Sequence, residues 1–168
     1  MAKTYLDEIV TYPQKAVSLI GNSKECVGLL LNKKFDAITD DDCDAAFDRN
    51  IFTYQYVDNT TQTATAYVWA EVDIPNIENQ RIKDLRLYIT IAVHKLYMPL
   101  DRKIHPGMAG NRRDNLVCQI DKLLNFKDIF GIGKLTLKTV RTINAPNGFV
   151  IKEIEYEIPD FNYRRSVQ

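Results

Sequence analysis

The order of hydrophobic patterns along this chain restricts its fold more than any other feature. Three stretches with apolar residues at every second position lie between residues 51 and 98, a stretch with helical spacing covers residues 110–126, and two more alternating stretches end at residue 158. A period of two is typical of strands, and a period near 3.6 is typical of helices. The sequence therefore predicts an α+β fold: a mainly antiparallel sheet of about five strands with one helix packed across it.

The third alternating stretch has the clearest apolar face, formed by Leu85, Leu87, Ile89, Ile91 and Val93. The predicted helix has an apolar stripe suited to covering this face, formed by Leu116, Val117, Ile120, Leu123 and Leu124. We expect Pro75 to end the second strand, because proline donates no backbone hydrogen bond, and residues 76–83 to form a polar loop. Asp58 and Asn59 have the turn chemistry of a hairpin between the first two strands.

Residues 1–50 have helical rather than alternating patterns, and we predict a helical N-terminal region there. Thr11 and Pro13 resemble a helix start, Ser23 is suited to capping a second helical segment, and Thr39 with Asp42 resembles a capping arrangement for a third. The 168 residues fit one domain, with a sheet and helix core over residues 51–160 and a tail over residues 161–168.

Composition excludes several classes of protein. The 22 basic and 22 acidic residues balance, so the global basic excess of a dedicated nucleic-acid binder is missing. Three widely spaced cysteines provide neither a disulfide framework nor a CxxC metal site, and we expect Cys26 and Cys118 to be buried. The longest apolar run, residues 27–31, is far too short for a membrane span, so we expect no membrane partner and synthesis in a cytosol.

The search for chemical motifs yields one metal candidate. Asp40, Asp42 and Asp44 are spaced like the first three ligands of a calcium loop, but Ala45 replaces the required glycine and Ile51 the bidentate glutamate. The two histidines, His94 and His105, do not form an HxH or HxxxH pair, and no phosphate-binding glycine motif is present. We therefore predict no catalytic residues, no metal and no cofactor.

Two groups of residues are candidates for contacts with partners. Aromatic residues lie on strand faces opposite the aliphatic ones, where they form a partner surface or are covered by the N-terminal helical region: Tyr54, Tyr56, Tyr67, Trp69 and Tyr88. Basic residues cluster around a long loop over residues 99–110 and in the tail, where they grip acidic groups or form a solvated rim: Arg102, Lys103, Arg112, Arg113, Arg164 and Arg165.

The element order and five local stretches resemble the tail-terminator (tail-completion) proteins at the neck of long-tailed bacteriophages. The stretches are YQYVD at residues 54–58, VWAEVD at 68–73, DLRLYITIAVH at 84–94, RDNLVCQIDKLL at 113–124 and FGIG at 130–133. The resemblance covers roughly residues 50–160 and includes no diagnostic motif. The acidic stretch over residues 40–48 has no counterpart in the pattern.

The resemblance implies a structural virion protein without catalytic residues. Subunits of that family have an α+β fold and assemble as a ring, usually a hexamer, which caps the tail tube and joins it to the head connector. The implied partners are further copies of the chain, the tail tube protein and the connector or stopper protein, with DNA passing nearby in the lumen. The implied location is the virion neck, assembled in the host cytoplasm. A head-completion or stopper protein, and a metal-dependent nucleic-acid-processing enzyme using Asp40, Asp42 and Asp44, are the alternatives.

Overall fold

The computed structural model describes residues 6–57, 60–78, 82–131, 133–145 and 147–159. Within these ranges the helices are α1 (Asp7–Gly21), α2 (Lys24–Leu31), α3 (Asp40–Arg49) and α4 (Arg112–Leu124), with short 3-10 helices at Phe35–Ala37 and Lys95–Tyr97. The strands are β1 (Ile51–Phe52), β2 (Ala66–Glu78), β3 (Ile82–His94), β4 (Thr136–Asn144) and β5 (Phe149–Ile158). The predicted α+β class is confirmed.

The five strands form one sheet in the order β1-β2-β3-β5-β4. Every neighbouring pair is antiparallel except β1 and β2, which run parallel. The central strand β3 is paired along almost its whole length, with Ile91 opposite Val68 on β2 and Lys152 on β5. The prediction of a mainly antiparallel sheet is therefore correct.

The main core lies between one face of this sheet and the helices. The predicted apolar face of β3 is buried, with Ile89 and Ile91 fully inaccessible, and so are Leu116, Ile120 and Leu124 of α4. These residues belong to one hydrophobic cluster, to which α1 contributes Ala16, Val17 and Ile20. Two helices, α4 and α1, thus cover the apolar face of the sheet, whereas the sequence predicted that one helix covers it.

Helix α2 is enclosed by the other helices and carries buried side chains from Cys26 to Leu30. Its N-terminus is capped as predicted, because the Ser23 hydroxyl accepts a hydrogen bond from the Cys26 amide. Burial raises the pKa of the Cys26 thiol to about 12. Among the described residues, no helix combines the length and apolar character needed to cross a bilayer.

The capping prediction for α3 is also confirmed, while that for α1 is wrong. The Thr39 hydroxyl and the Asp42 carboxylate each accept a hydrogen bond from the other residue's backbone amide, which is a complete capping box. Helix α1 begins at Asp7 instead of near Thr11, so Pro13 lies inside it and is buried. Asp7 and Glu8 in the first turn favour the earlier start, since carboxylates stabilise a helix N-terminus.

Two strand predictions are corrected. Strand β2 continues through Pro75 to Glu78, with a register shift between Asp73 and Asn76, so much of the expected loop is strand. Proline is tolerated there because it lies at a bulge on a strand whose outer side is largely unpaired. The first strand is only two residues long, and Asp58 and Asn59, the predicted turn, lie outside the described residues.

The packing of β3 against α4 gives a direct test of the core. Replacing Ile91 by aspartate buries an unpaired carboxylate at a fully inaccessible position, so we expect no soluble, cooperatively folded protein. Ile91→Val removes one methylene and should lower the free energy of unfolding by about 1 kcal/mol in urea titrations. Val140→Asp, at a site with 42% exposure, is the control and should fold normally. A soluble Ile91→Asp protein that melts cooperatively would contradict the assignment of this face.

Candidate interaction surfaces

The predicted aromatic sheet face is in large part a second, smaller core. Tyr67 and Trp69 are each only 4% exposed. They pack in one cluster with Phe52, Val57, Ala92, Phe149 and Ile151. This corrects the prediction that Tyr67 and Trp69 form part of an exposed surface for a partner. The cover comes from the chain that follows β1, and not from the N-terminal helices.

Tyr54 and Tyr56 remain at the rim of this second core, with 57% and 38% of their surface exposed. The Tyr56 ring is stacked on Phe52 with a centroid separation of 4.1 Å, and it lies 4.8 Å from the Tyr67 ring. The stacking fixes the ring of Tyr56 while leaving part of it open to solvent. These two tyrosines therefore stay available as contact residues.

The remaining half of the second sheet face is polar. Tyr88 lies half-buried at its centre, between Glu71 on β2 and Glu155 on β5. Burial raises the pKa of Tyr88, and the carboxylates of Glu155 and Asp73 raise it further. Arg86 forms ion pairs with Asp84 at 2.9 Å and with Glu155 at 3.5 Å. Tyr88 is thus surrounded by charged residues and does not extend the aromatic cluster.

Arg112, which we predicted at an interface, is instead an internal clamp with 2% exposure. Its guanidinium donates to the carbonyl oxygens of Tyr97 at 2.8 Å, Leu29 at 2.5 Å and Pro99 at 3.3 Å, and to Asn32 Oδ1 at 2.7 Å. The group also lies over the Tyr97 ring, 4.1 Å from its centroid. Burial lowers the pKa of Arg112. The prediction failed because the N–H donors of a guanidinium can bind backbone carbonyl oxygens as well as the acidic groups of a partner.

The other predicted basic residues have different environments. Arg102 and Lys103 are exposed on the loop that precedes α4, as an interface would require. Arg113 is less available, because it forms an ion pair with Asp114 at 2.9 Å and its side chain is 14% exposed. Arg164 and Arg165 lie outside the described residues.

We expect Arg112→Ala to lower the free energy of unfolding by about 3 kcal/mol, because several buried carbonyl oxygens lose their donor. Arg112→Lys keeps the positive charge but not the planar set of guanidinium donors, so it should recover only part of the lost free energy of unfolding. Arg102→Ala, at an exposed position on the loop that precedes α4, is the matched control and should change stability by less than about 0.5 kcal/mol. Equal urea midpoints for the two alanine variants would contradict the clamp.

His105 is buried beside this clamp, with 2% exposure. Its ring lies 5.0 Å from that of Phe35, and neither ring nitrogen has a hydrogen-bond partner in the described part of the chain. Burial lowers the pKa of His105 below its ordinary value of 6.5, the Arg112 guanidinium lowers it further, and Asp101 acts in the opposite direction. The folded protein therefore holds this imidazole in its neutral form.

Because the pKa of His105 is lower in the folded than in the unfolded chain, the unfolded chain binds the proton first as the pH falls. Stability should therefore be full above about pH 6.5 and decline below it, by at most about 1.4 kcal/mol per pH unit. His105→Phe should remove this part of the decline. The comparison is made in urea titrations between pH 7 and 5, well above the range in which Asp42 titrates, since a hydrogen bond from Lys33 lowers its pKa from 3.8. Parallel curves for the two proteins would contradict the assignment.

The remaining candidates for chemistry have structural surroundings. His94 Nδ1 accepts a hydrogen bond from the Leu96 amide, and the ring makes an edge contact with Phe149. Asp42 is engaged by the α3 capping box and by Lys33. No group of three His, Cys, Asp or Glu residues in the described ranges is placed to hold a metal ion. Cys26 is buried as expected, but Cys118 is exposed on α4, which corrects that prediction.

The structure reveals a surface that our sequence reasoning missed, at the two edges of the sheet. Strand β4 is the last strand on one side, and its residues are mostly exposed, with Arg141 at 61%. On the other side, β1 pairs with only Val68 and Trp69 of the longer strand β2. The signal in the sequence was the weak apolar alternation of residues 136–144, which is typical of a strand with little cover on either face.

The chain belongs to the YomW family, whose model matches residues 22–158. YomW is a protein of the SPbeta phage region of Bacillus, so the family is phage-related, which is consistent with a phage origin. No curated protein and no solved structure matches the chain.

Proposed function

We propose that this protein is a structural component of a phage neck: a tail terminator that assembles as a ring, caps the tail tube and joins it to the head connector. The observation that carries the proposal is membership of a phage-related family across residues 22–158. The particular role rests on the resemblance in element order and local sequence to tail terminators. The implied partners are further copies of the chain, the tube protein and the connector or stopper protein.

The architecture supports a role that depends on contacts. At one edge of the sheet most residues of β4 are exposed, and at the other edge most of β2 has no strand partner in the described residues. These two edges offer surfaces to which further copies can bind. Tyr54 and Tyr56 on one sheet face, and Arg102 and Lys103 on the loop before α4, offer further contacts in different directions. A ring that joins a tube to a connector needs separate surfaces of this kind.

The enzymatic alternative depends on Asp40, Asp42 and Asp44. The Asp42 carboxylate accepts hydrogen bonds from three donors, the Thr39 amide, the Thr39 hydroxyl and the Lys33 ammonium, which leaves it less free to bind a cation. Capping and the acidic first turn of α3 account for Asp42 and Asp40 without a metal.

Electron micrographs of particles assembled without this protein would test the proposed role. A terminator should leave tails of abnormal length, because nothing stops growth of the tube. Tailless heads beside separate tails of normal length would favour the stopper alternative.

Replacing Asp40 and Asp44 by asparagine, which leaves the Thr39 and Asp42 cap in place, tests the enzymatic alternative. We expect complementation by this variant to restore infectious particles to the wild-type count. Complete but non-infectious virions, together with cleavage of DNA by the wild-type protein in magnesium or manganese, would replace the structural reading with the enzymatic one.

A further inference from the structure

Among the described residues, the two outer strands of the sheet carry backbone groups without strand partners. Within those residues, β4 pairs only with β5, and β2 has an outer partner only at Val68 and Trp69. Open edges of this kind accept a strand from another chain, because each added residue satisfies backbone donors and acceptors.

We propose that these edges join one another, so that β4 of one copy pairs with residues 71–74 of β2 in the next copy. The inference rests on the proposed ring function and adds to it the contact that builds the ring. The contact uses two different surfaces of the chain, which is the kind of interface that generates a ring when the rotation between copies closes.

Strand direction is compatible with this arrangement. Successive antiparallel pairings from β2 through β3 and β5 to β4 leave β4 running opposite to β2. A second copy placed beside the first in a similar orientation therefore brings β4 antiparallel to β2, with both helical layers on the same side of the joined sheet. Neither copy has to turn over.

The features of β2 define which part of its edge is usable. Pro75 donates no backbone hydrogen bond, and the register shift between Asp73 and Asn76 interrupts the strand. Strand β1 occupies the other end, at Val68 and Trp69. Ala70 is fully buried next to β1, so residues 71–74 remain, which is within the usual range of strand lengths and shorter than the nine residues of β4.

The exposed side chains on the two edges have opposite charges. Glu71 and Asp73 are exposed on β2 and form no ion pair within the described ranges. On β4, Arg141 is 61% and Lys138 is 41% exposed. Arg141 lies on the same sheet face as Glu71. Glu71 pairs with Tyr88, Tyr88 with Glu155, and Glu155 with Thr139, and directly paired residues share a face. Arg141 is two residues after Thr139 on β4 and therefore lies on that face too.

The pairing that we propose therefore places Arg141 beside Glu71 and Asp73. Arg141 contacts Glu153 within its own subunit at 2.7 Å. Glu153 is 15% exposed but Arg141 is 61% exposed, so solvent screens the pair and it competes only weakly with a new partner. Opposite charges on facing strands favour this pairing over contacts between two β4 strands or two β2 strands, both of which bring like charges together.

A charge-reversal experiment tests the contact. One variant, Arg141→Glu, makes the β4 edge more acidic. The other, Glu71→Arg with Asp73→Arg, makes the β2 edge basic. Each variant alone brings like charges together, so we expect the concentration at half-assembly to rise at least about tenfold in native mass spectrometry and negative-stain microscopy. Mixed in equal amounts, the two variants should reassemble in alternation, since each β4 then faces a β2 of opposite charge.

Lys122→Glu and Asp36→Arg, both at exposed positions in the helical layer, are the matched controls and should assemble like the wild type. Circular dichroism melting of each variant at a concentration where it is monomeric separates loss of assembly from loss of folding. Rings of wild-type stability from either edge variant, or failure of the mixture to reassemble, would overturn the edge contact while leaving the ring function intact. A wild-type chain that stays monomeric, or stops at dimers, at every concentration would overturn both.

Discussion

A single buried cation links the helical layer to the long loop. The Arg112 guanidinium joins the end of α2, the 3-10 helix at Lys95–Tyr97 and the start of the loop to the first residue of α4. It has no carboxylate within ion-pair distance among the described residues, so its charge is satisfied by carbonyl and amide oxygens. Breaking such a cluster leaves several buried acceptors unsatisfied, which is why one side chain can fix segments that are distant in the sequence.

The two faces of the sheet differ in how far they are apolar and covered. One face is apolar under α1 and α4 and supplies the main core. The other is apolar only near Tyr67, Trp69 and Phe149, where the chain after β1 covers it, and is charged around Tyr88. The small second core thus holds the chain after β1 against the sheet, while much of the second face stays exposed to solvent.

Periodicity predicted the sheet, the helix across it and the buried face of β3, because these depend on local alternation against one large core. It did not predict the fate of Tyr67 and Trp69, since alternation distinguishes two faces but does not show what covers the second one. The failure at Arg112 has the same origin. An arginine next to a loop gives the same local signal whether its acceptors belong to a partner or to a carbonyl 83 residues away in the same chain. The open sheet edges were also missed, because strand order depends on contacts between distant segments.

In the ring that we propose, Pro75 and the bulge beside it also determine how strongly neighbouring copies bind one another. In the arrangement that we propose, they limit each junction to about one short strand, so a single junction between two free copies is weak. An open row of copies has one junction fewer than it has members, and its terminal copies dissociate readily. Closure adds the last junction within the same particle, at a high effective concentration. Assembly through such short junctions therefore favours free chains and complete rings over partial ones.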